Sequence, residues 1–219
     1  MLLAPPRVRK AALRPRSTYT RTMDAEVLQA MGKWPAVPAV FGWLSLDRRG
    51  NWSIKGEPIG NRTVTAFIGR NYERDADGRW FFQNGPQRVF VRLDYTPYVL
   101  RTEPAPEGIN LFAHSGEPVN ACTQAFLDED GCLLVAFERG VGLVSDRDLA
   151  SLLPRLGHGE GKVAGEEELE RWMAGSVPED AHLDLGRVRL PLVSIRASDV
   201  PKRFGFDPDP RPAPGEPEC

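Results

Sequence analysis

Asp75-Ala76-Asp77-Gly78-Arg79-Trp80-Phe81-Phe82-Gln83-Asn84-Gly85 leads into Arg88-Val89-Phe90-Val91-Arg92-Leu93-Asp94. A turn signal opens an aromatic run, an Asn-Gly pair closes it, and a strict two-residue alternation follows. This pattern predicts a strand over 79–83, a hairpin at Asn84-Gly85 and a return strand over 88–94. Val89, Val91 and Leu93 take one face. Arg88, Phe90, Arg92 and Asp94 take the other, which is expected to face solvent, as in an antiparallel sheet with one dry side. Tyr98 continues the strand beyond Pro97.

Working outward, the same device recurs. Residues 41–54 read as a hairpin about Arg48-Arg49-Gly50-Asn51, and 123–138 as one about Asp128-Glu129-Asp130-Gly131. Residues 56–60 are expected to break the first hairpin, after which Asn61 caps a helix running to about Tyr72. A short strand at 141–144 precedes a helix to Leu153, for which Ser145 and Asp148 suggest a capping box. A glycine-rich loop is expected at 157–165. Next comes a helix with Glu166, Glu167 and Glu168 in its first turn and Leu169, Trp172 and Met173 as its apolar stripe. Residues 187–195 alternate around Pro191, suggesting an edge strand or a bulge. Residues 24–33 form a short helix, and Phe204 and Phe206 anchor the far end.

Leu46-Asp47-x-x-Gly50 echoes Leu127-Asp128-x-x-Gly131, each followed by a strand, a break and a capped helix. A second register matches Gly56-Glu57-Pro58 with Gly116-Glu117-Pro118. The fold class is therefore α+β: antiparallel hairpins with short helices, with two repeated hairpin-plus-helix motifs as a possible plan. The expected organisation is one domain over 23–206, with subdomains 41–101 and 122–196, between a basic arm (1–22) and a solvated proline-rich tail (207–219).

The block from Gly50 through Trp52 and Lys55 to Gly60 resembles bacterial families of unknown function, as do Asp75 to Phe81 and Asp94-Tyr95-Thr96-Pro97-Tyr98. The resemblance is good over 41–101. A more distant cousin shares a Trp after a turn, a Gly-x-Pro-Ile break, a helix and a hairpin ending in an acidic-x-x-Pro-aromatic unit. The resemblance implies an α+β fold with repeated hairpin-plus-helix motifs and a role in ligand binding or signalling. It transfers no catalytic residue.

Charge narrows the function. The chain has 219 residues and a net charge of −2. Residues 1–22 hold six basic side chains and no acid, so the remainder carries −8 and repels a phosphate backbone. The arm reads as a transit peptide, a basic tail, or sequence upstream of a true start at Met23. No apolar run is long enough to span a membrane as a helix. Three cysteines without a CxxC pair fit a reducing, cytoplasmic setting.

The chemistry-bearing types are sparse. His114, His158 and His182 show no metal-ligand spacing, and no metal or other cofactor is expected. Around Gly161-Lys162, Leu156 and Val163 stand where a phosphate loop needs Gly and Ser or Thr. The carboxylates of Asp75, Asp77, Asp128 and Asp130 are expected to bond their own turns. The candidate binding surface is Trp80, Arg88, Phe90, Arg92, Asp94, Tyr95 and Tyr98, where arginine beside aromatics suits a small anionic or planar ligand, or a protein partner. The leading expectation is a non-enzymatic ligand-binding or regulatory module. The alternatives are a hydrolase-type enzyme using Asp and Arg without metal, and a nucleic-acid accessory protein working through the arm.

Overall fold

The computed structural model describes residues 23–33 and 37–215; the three readings of the basic arm and the last four residues of the tail lie outside them. After α1 (Ala25–Lys33), β1 (Val40–Leu46) and β2 (Trp52–Ile54) form the first hairpin, with Leu46 opposite Trp52. The stretch expected to break this hairpin instead extends it. Lys55 and Gly56 both take positive φ (51° and 85°), the geometry of a two-residue turn, and β3 (Glu57–Pro58) pairs back on β2.

The Asn61 side chain caps α2 (Arg62–Arg70) by accepting the N–H groups of Thr63 and Val64. α2 ends two residues earlier than expected, because buried Asn71 bonds the Phe67 carbonyl and Tyr72 enters the core. β4 (Tyr72–Arg74), β5 (Trp80–Asn84) and β6 (Gln87–Leu93) are antiparallel neighbours. β6 lies parallel to β1, giving the order β3-β2-β1-β6-β5-β4.

A hairpin of β7 (Tyr98–Ala105) and β8 (Gly108–Ala113) leads to the second half. There β9 (Gln124–Leu127), β10 (Leu133–Phe137) and β11 (Gly140–Val144) form a meander. It is followed by α3 (Leu149–Leu152), β12 (Leu156–His158), β13 (Lys162–Val163), α4 (Glu166–Met173), β14 (His182–Asp184), β15 (Arg189–Ser194) and α5 (Val200–Phe204). β15 returns parallel to β9. Read from β11, the order β11-β10-β9-β15-β14-β12 repeats the wiring of the first sheet, with β13 and α4 as an insertion. The echo between Leu46-Asp47 and Leu127-Asp128 is thus a repeated topology. Equivalent bonds end both copies: Asp94 N–H to Leu46 O (3.0 Å) and Ile195 N–H to Leu127 O (3.1 Å). Gly116-Glu117-Pro118, the rival register, lies after β8 and outside this plan.

Three further expectations change. The glycine-rich loop is the β12–β13 hairpin. Pro191 is not on an edge; β15 lies between β14 and β9, and Pro191 sits where pairing to β14 ends and pairing to β9 begins. No capping box forms at Asp148, whose Oδ1 instead accepts the backbone N–H and the hydroxyl of Thr102.

One turn is used three times. Asp47 Oδ1 accepts the N–H groups of Arg49 and Asn51, Asp75 Oδ1 those of Asp77 and Arg79, and Asp128 Oδ1 those of Asp130 and Cys132, all at 2.7–3.0 Å. In each, the fourth residue is a glycine with φ between 77° and 85°. An Asx turn needs a short acceptor at its first position, and the left-handed fourth position suits glycine.

A continuous buried cluster runs across both sheets, including Leu46, Trp52, Tyr98, Phe126, Leu133 and Trp172. The Tyr95 hydroxyl, just past β6, donates to Asp128 Oδ2 at 2.6 Å and so ties the first half to a turn of the second. Arg48 lies over the Tyr95 ring at 4.5 Å, and Arg49 pairs with Asp146 at 2.7 Å. The tail expected to be solvated from Asp207 begins docked. Asp207 N–H bonds Gly78 O, Leu93 N–H bonds Pro208 O, and Pro210 is buried. Proline lacks a donor, but its carbonyl serves as well as any other.

The nine-stranded sheet curls into a half-barrel whose far edge returns to the β14–β15 turn, where Ile109 N–H bonds Leu185 O at 3.0 Å. The seam is closed by Gly108 and Gly186, at φ 142° and 91°. A Cβ on either would overlap backbone, including Leu185 O for the first and Glu107 O for the second. Gly186→Ala is expected to lose at least about 2 kcal/mol, from the left-handed backbone and the overlap together, lowering Tm by roughly 5 °C or more. Gly32→Ala, which has open space, should leave Tm unchanged or raise it. Thermal unfolding followed by circular dichroism checks both.

Burial and the bond to Asp128 raise the Tyr95 phenol well above its ordinary value of 10.0. A raised folded pKa means that its stabilisation is complete below pH 10 and is lost as pH climbs beyond it. Tyr95→Phe should remove roughly 1–3 kcal/mol at neutral pH and flatten the decline of stability above pH 10. The decline persists in part, because burial also raises Tyr72. Urea titrations from pH 7 to 11 measure the difference.

Candidate functional site

The seven residues expected to form one surface fall in three places. β6 alternates as predicted, but the face opposite Val91 and Leu93 is not open to solvent throughout. Phe90 is 1% exposed, stacks on Phe41 (centroids 4.5 Å, 9°) and meets Phe81 edge-on. Arg79 lies over Phe90 at 4.5 Å and Arg88 over Phe81 at 4.7 Å, so these guanidinium groups roof a small aromatic cluster. Arg92 and Asp94 remain exposed and pair at 3.6 Å.

Trp80 faces the other way, into the core between Tyr72 (4.8 Å) and Tyr98 (5.1 Å). The cause is register. Phe81 sits opposite Phe90, so the two-residue period sends Trp80 and Phe82 to the opposite side. Tyr98 is fully buried, and Tyr95 belongs to the joint with Asp128. The surface that remains of the seven is Arg88, Arg92 and Asp94.

The histidines are built into the fold. His182 is buried in β14. His114 lies against Trp52, Tyr72 and Tyr98, and its Nδ1 accepts the Val99 N–H, which leaves Nε2 as the protonated nitrogen of the neutral ring. His158 Nε2 and Lys162 Nζ both reach Glu168 Oε1, at 3.1 and 2.8 Å. The Gly165 N–H, then Lys162, pull Glu168 down to about 2, and this carboxylate fastens the β12–β13 hairpin to the start of α4. Burial pushes the Cys122 and Cys132 thiols up to about 11, away from the thiolate. Among the described residues, no group of three or more His, Cys, Asp or Glu converges as metal ligands.

A different feature has the form of a site. Between α2 and the first sheet lies a groove of about 310 Å³, walled by Leu44, Ile54, Ile59, Val64, Phe67 and Val89. Asn84 and Gln87 supply amides to its lining. Trp43 lines it too, 41% exposed, beneath Lys55, whose Nζ is 3.6 Å from the ring centroid. The groove follows from local structure. A register shift between Val40 and Leu44 coincides with exposed Trp43, and Ile54 stays half-exposed beside α2.

The repeat shows what is missing. Leu46 faces Trp52 as Leu127 faces Leu133, so Ile54 corresponds to Val135. Val135 is fully buried, whereas Ile54 is 46% exposed and Val64 42%. The hairpin reading of residues 41–54 and the helix read from Asn61 placed Ile54 and Val64 on neighbouring elements. Neither signal told how far the helix would cover the sheet.

Comparison with known proteins places the chain. The DUF2944 family model, described as "Protein of unknown function (DUF2946)", matches residues 23–211. A DUF1285 family protein from Silicibacter pomeroyi DSS-3 is similar at 16% identity and a TM-score of 0.49, over 80% of this chain and 97% of that one. A DUF1285 family protein from Shewanella baltica OS155 gives 19% and 0.37, over 48% and 84%. No curated protein matches. Most of the chain being spanned by one model of uncharacterised function, the protein belongs to the DUF2944 family.

Proposed function

We propose that the protein is a non-enzymatic binding module, and that the groove beside α2 holds a small amphiphile: an apolar body with a carboxylate turned toward Lys55. The observation that carries this is the uncovered apolar wall of the first sheet, complete in the second. Exposed Trp43, Ile54 and Val64 lie close together, whereas isolated surface apolar residues are common and need no explanation. The volume sits at the lower end of small-molecule sites. An apolar wall with a few polar groups at its ends is the usual composition of such a site, and Lys55 adds a cation at the mouth.

Burying a large apolar side chain contributes roughly 1.5–3 kcal/mol, so a ligand covering this wall has enough to offset its lost freedom. The carboxylate then sets orientation more than strength. Sodium octanoate and octanol are the probes, titrated by calorimetry below aggregation. Octanoate is expected to bind saturably. Ile54→Glu should weaken it at least tenfold, with Tm within about 2 °C of the parent, because the replaced side chain is half-exposed. Lys55→Gln should weaken octanoate several-fold and leave octanol unchanged. Absence of saturable binding by both probes, or unchanged octanoate affinity in Ile54→Glu, defeats the reading.

A further inference from the structure

The second half carries a different groove, of about 830 Å³, where the end of β15 meets α5 and the end of α4. Arg196, Lys202 and Arg203 contribute cations, Glu129 and Asp199 the acids, and Met173 an apolar flank. The Glu129 carboxylate is engaged. It accepts the Ala197 N–H at 3.0 Å, and its own backbone N–H together with that bond lowers its pKa, with Arg196 contributing at longer range. Arg203 is held in place, lying over Phe126 at 4.8 Å with a bond to Gln124 Oε1 at 3.4 Å. The side chains of Arg196 and Lys202 are exposed and have no hydrogen-bond or ion-pair partner among the described residues. Three cations against two acids, one of them occupied, leave the groove positive.

The repeat assigns this place a role. The bonds from Asp94 to Leu46 and from Ile195 to Leu127 make Tyr95 and Arg196 counterparts, and the two Asx turns make Arg48 and Glu129 counterparts. In the first half, Tyr95 reaches out of its sheet and donates to a carboxylate, Asp128 Oδ2. In the second half the same position carries a permanently charged donor, which Glu129 feels at longer range but to which no carboxylate is hydrogen-bonded. α5 turns the chain back to Gly78 and Leu93 instead. Met173 Sδ packs close to Gly131, 2.9 Å from where a Cβ there would stand.

We infer that this groove is a second ligand site, which takes a small molecule bearing an oxyanion, carboxylate or phosphate, on Arg196 and Lys202 with its carbon skeleton along Met173. Guanidinium matches either oxyanion in a two-point contact, and the ammonium adds a point charge. The site is separate from the apolar groove of the first half and stands independently of it.

The full-length protein is titrated by calorimetry with pyrophosphate and with citrate at a fixed ionic strength of about 0.15 M, which screens diffuse attraction. Glycerol is the neutral control. One or both anions should bind saturably, and whichever binds tighter names the oxyanion. The Arg196→Gln/Lys202→Gln double variant should raise Kd at least tenfold, while Arg62→Gln/Lys33→Gln, exposed cations elsewhere, should not alter it. Lys202→Glu alone should raise Kd further than Lys202→Gln, a readout that needs only one exposed side chain on α5. No saturable anion binding, or equal Kd in the parent and both groove variants, overturns the assignment.

Discussion

An aspartate that folds its own chain governs this structure. In each of three turns, one carboxylate oxygen takes two backbone N–H groups, so the aspartate holds the turn by bonds within its own five residues. That fixes the hairpin register, and with it which side chains enter the core, because a slip of one residue exchanges the faces. Asp128 does more than the other two. Its second oxygen receives the Tyr95 hydroxyl, so the group that shapes a turn of the second half also anchors the end of the first. A buried carboxylate with all its neighbours donating is costly to disturb, since removing one partner leaves a desolvated acceptor.

Hairpins were legible because their signals are local. Asp-x-x-Gly, the alternation of residues 88–94 and the Asn61 cap each act within a few residues, and all three appear in the structure. The parallel return of β6 to β1 and of β15 to β9 was not legible, since nothing local encodes which distant strand a strand will meet. The short strands β4 and β14 were missed for a related reason: three residues give too little periodicity to distinguish Tyr72–Arg74 from a helix end.

The proposed surface scattered on one residue of register. Trp80 and Phe81 are chemically similar, and only the pairing of Phe81 with Phe90 decides which of them joins the arginines. Arg88 and Phe90 did prove to be neighbours of aromatic rings, as their composition suggested, but the rings use the arginines as cover. The apolar groove beside α2 coincides with a strand irregularity, an outcome of packing.

Repetition makes the differences between the halves informative. The same wiring is covered differently: the second sheet gains β7 and β8 along one side and the β13–α4 insertion on the other. Val135 is sealed where Ile54 is not, and Arg196 lacks the hydrogen-bonded carboxylate that Tyr95 has. A duplicated frame lets one copy keep its packing while the other leaves surface available, and here each half leaves a different kind of surface, one apolar and one charged.

The glycine-lined seam bears on how the polypeptide is born. Ile109 leaves the ribosome long before Leu185, so β8 must wait for nearly the whole second half before its outer edge meets the β14–β15 turn. Contacts this distant form late, after the entropy of closing a long loop has been met. Residues 117–119 cover the edge of β8 at Leu111–Ala113 from the start, so only its beginning, around Ile109, stays open over that interval.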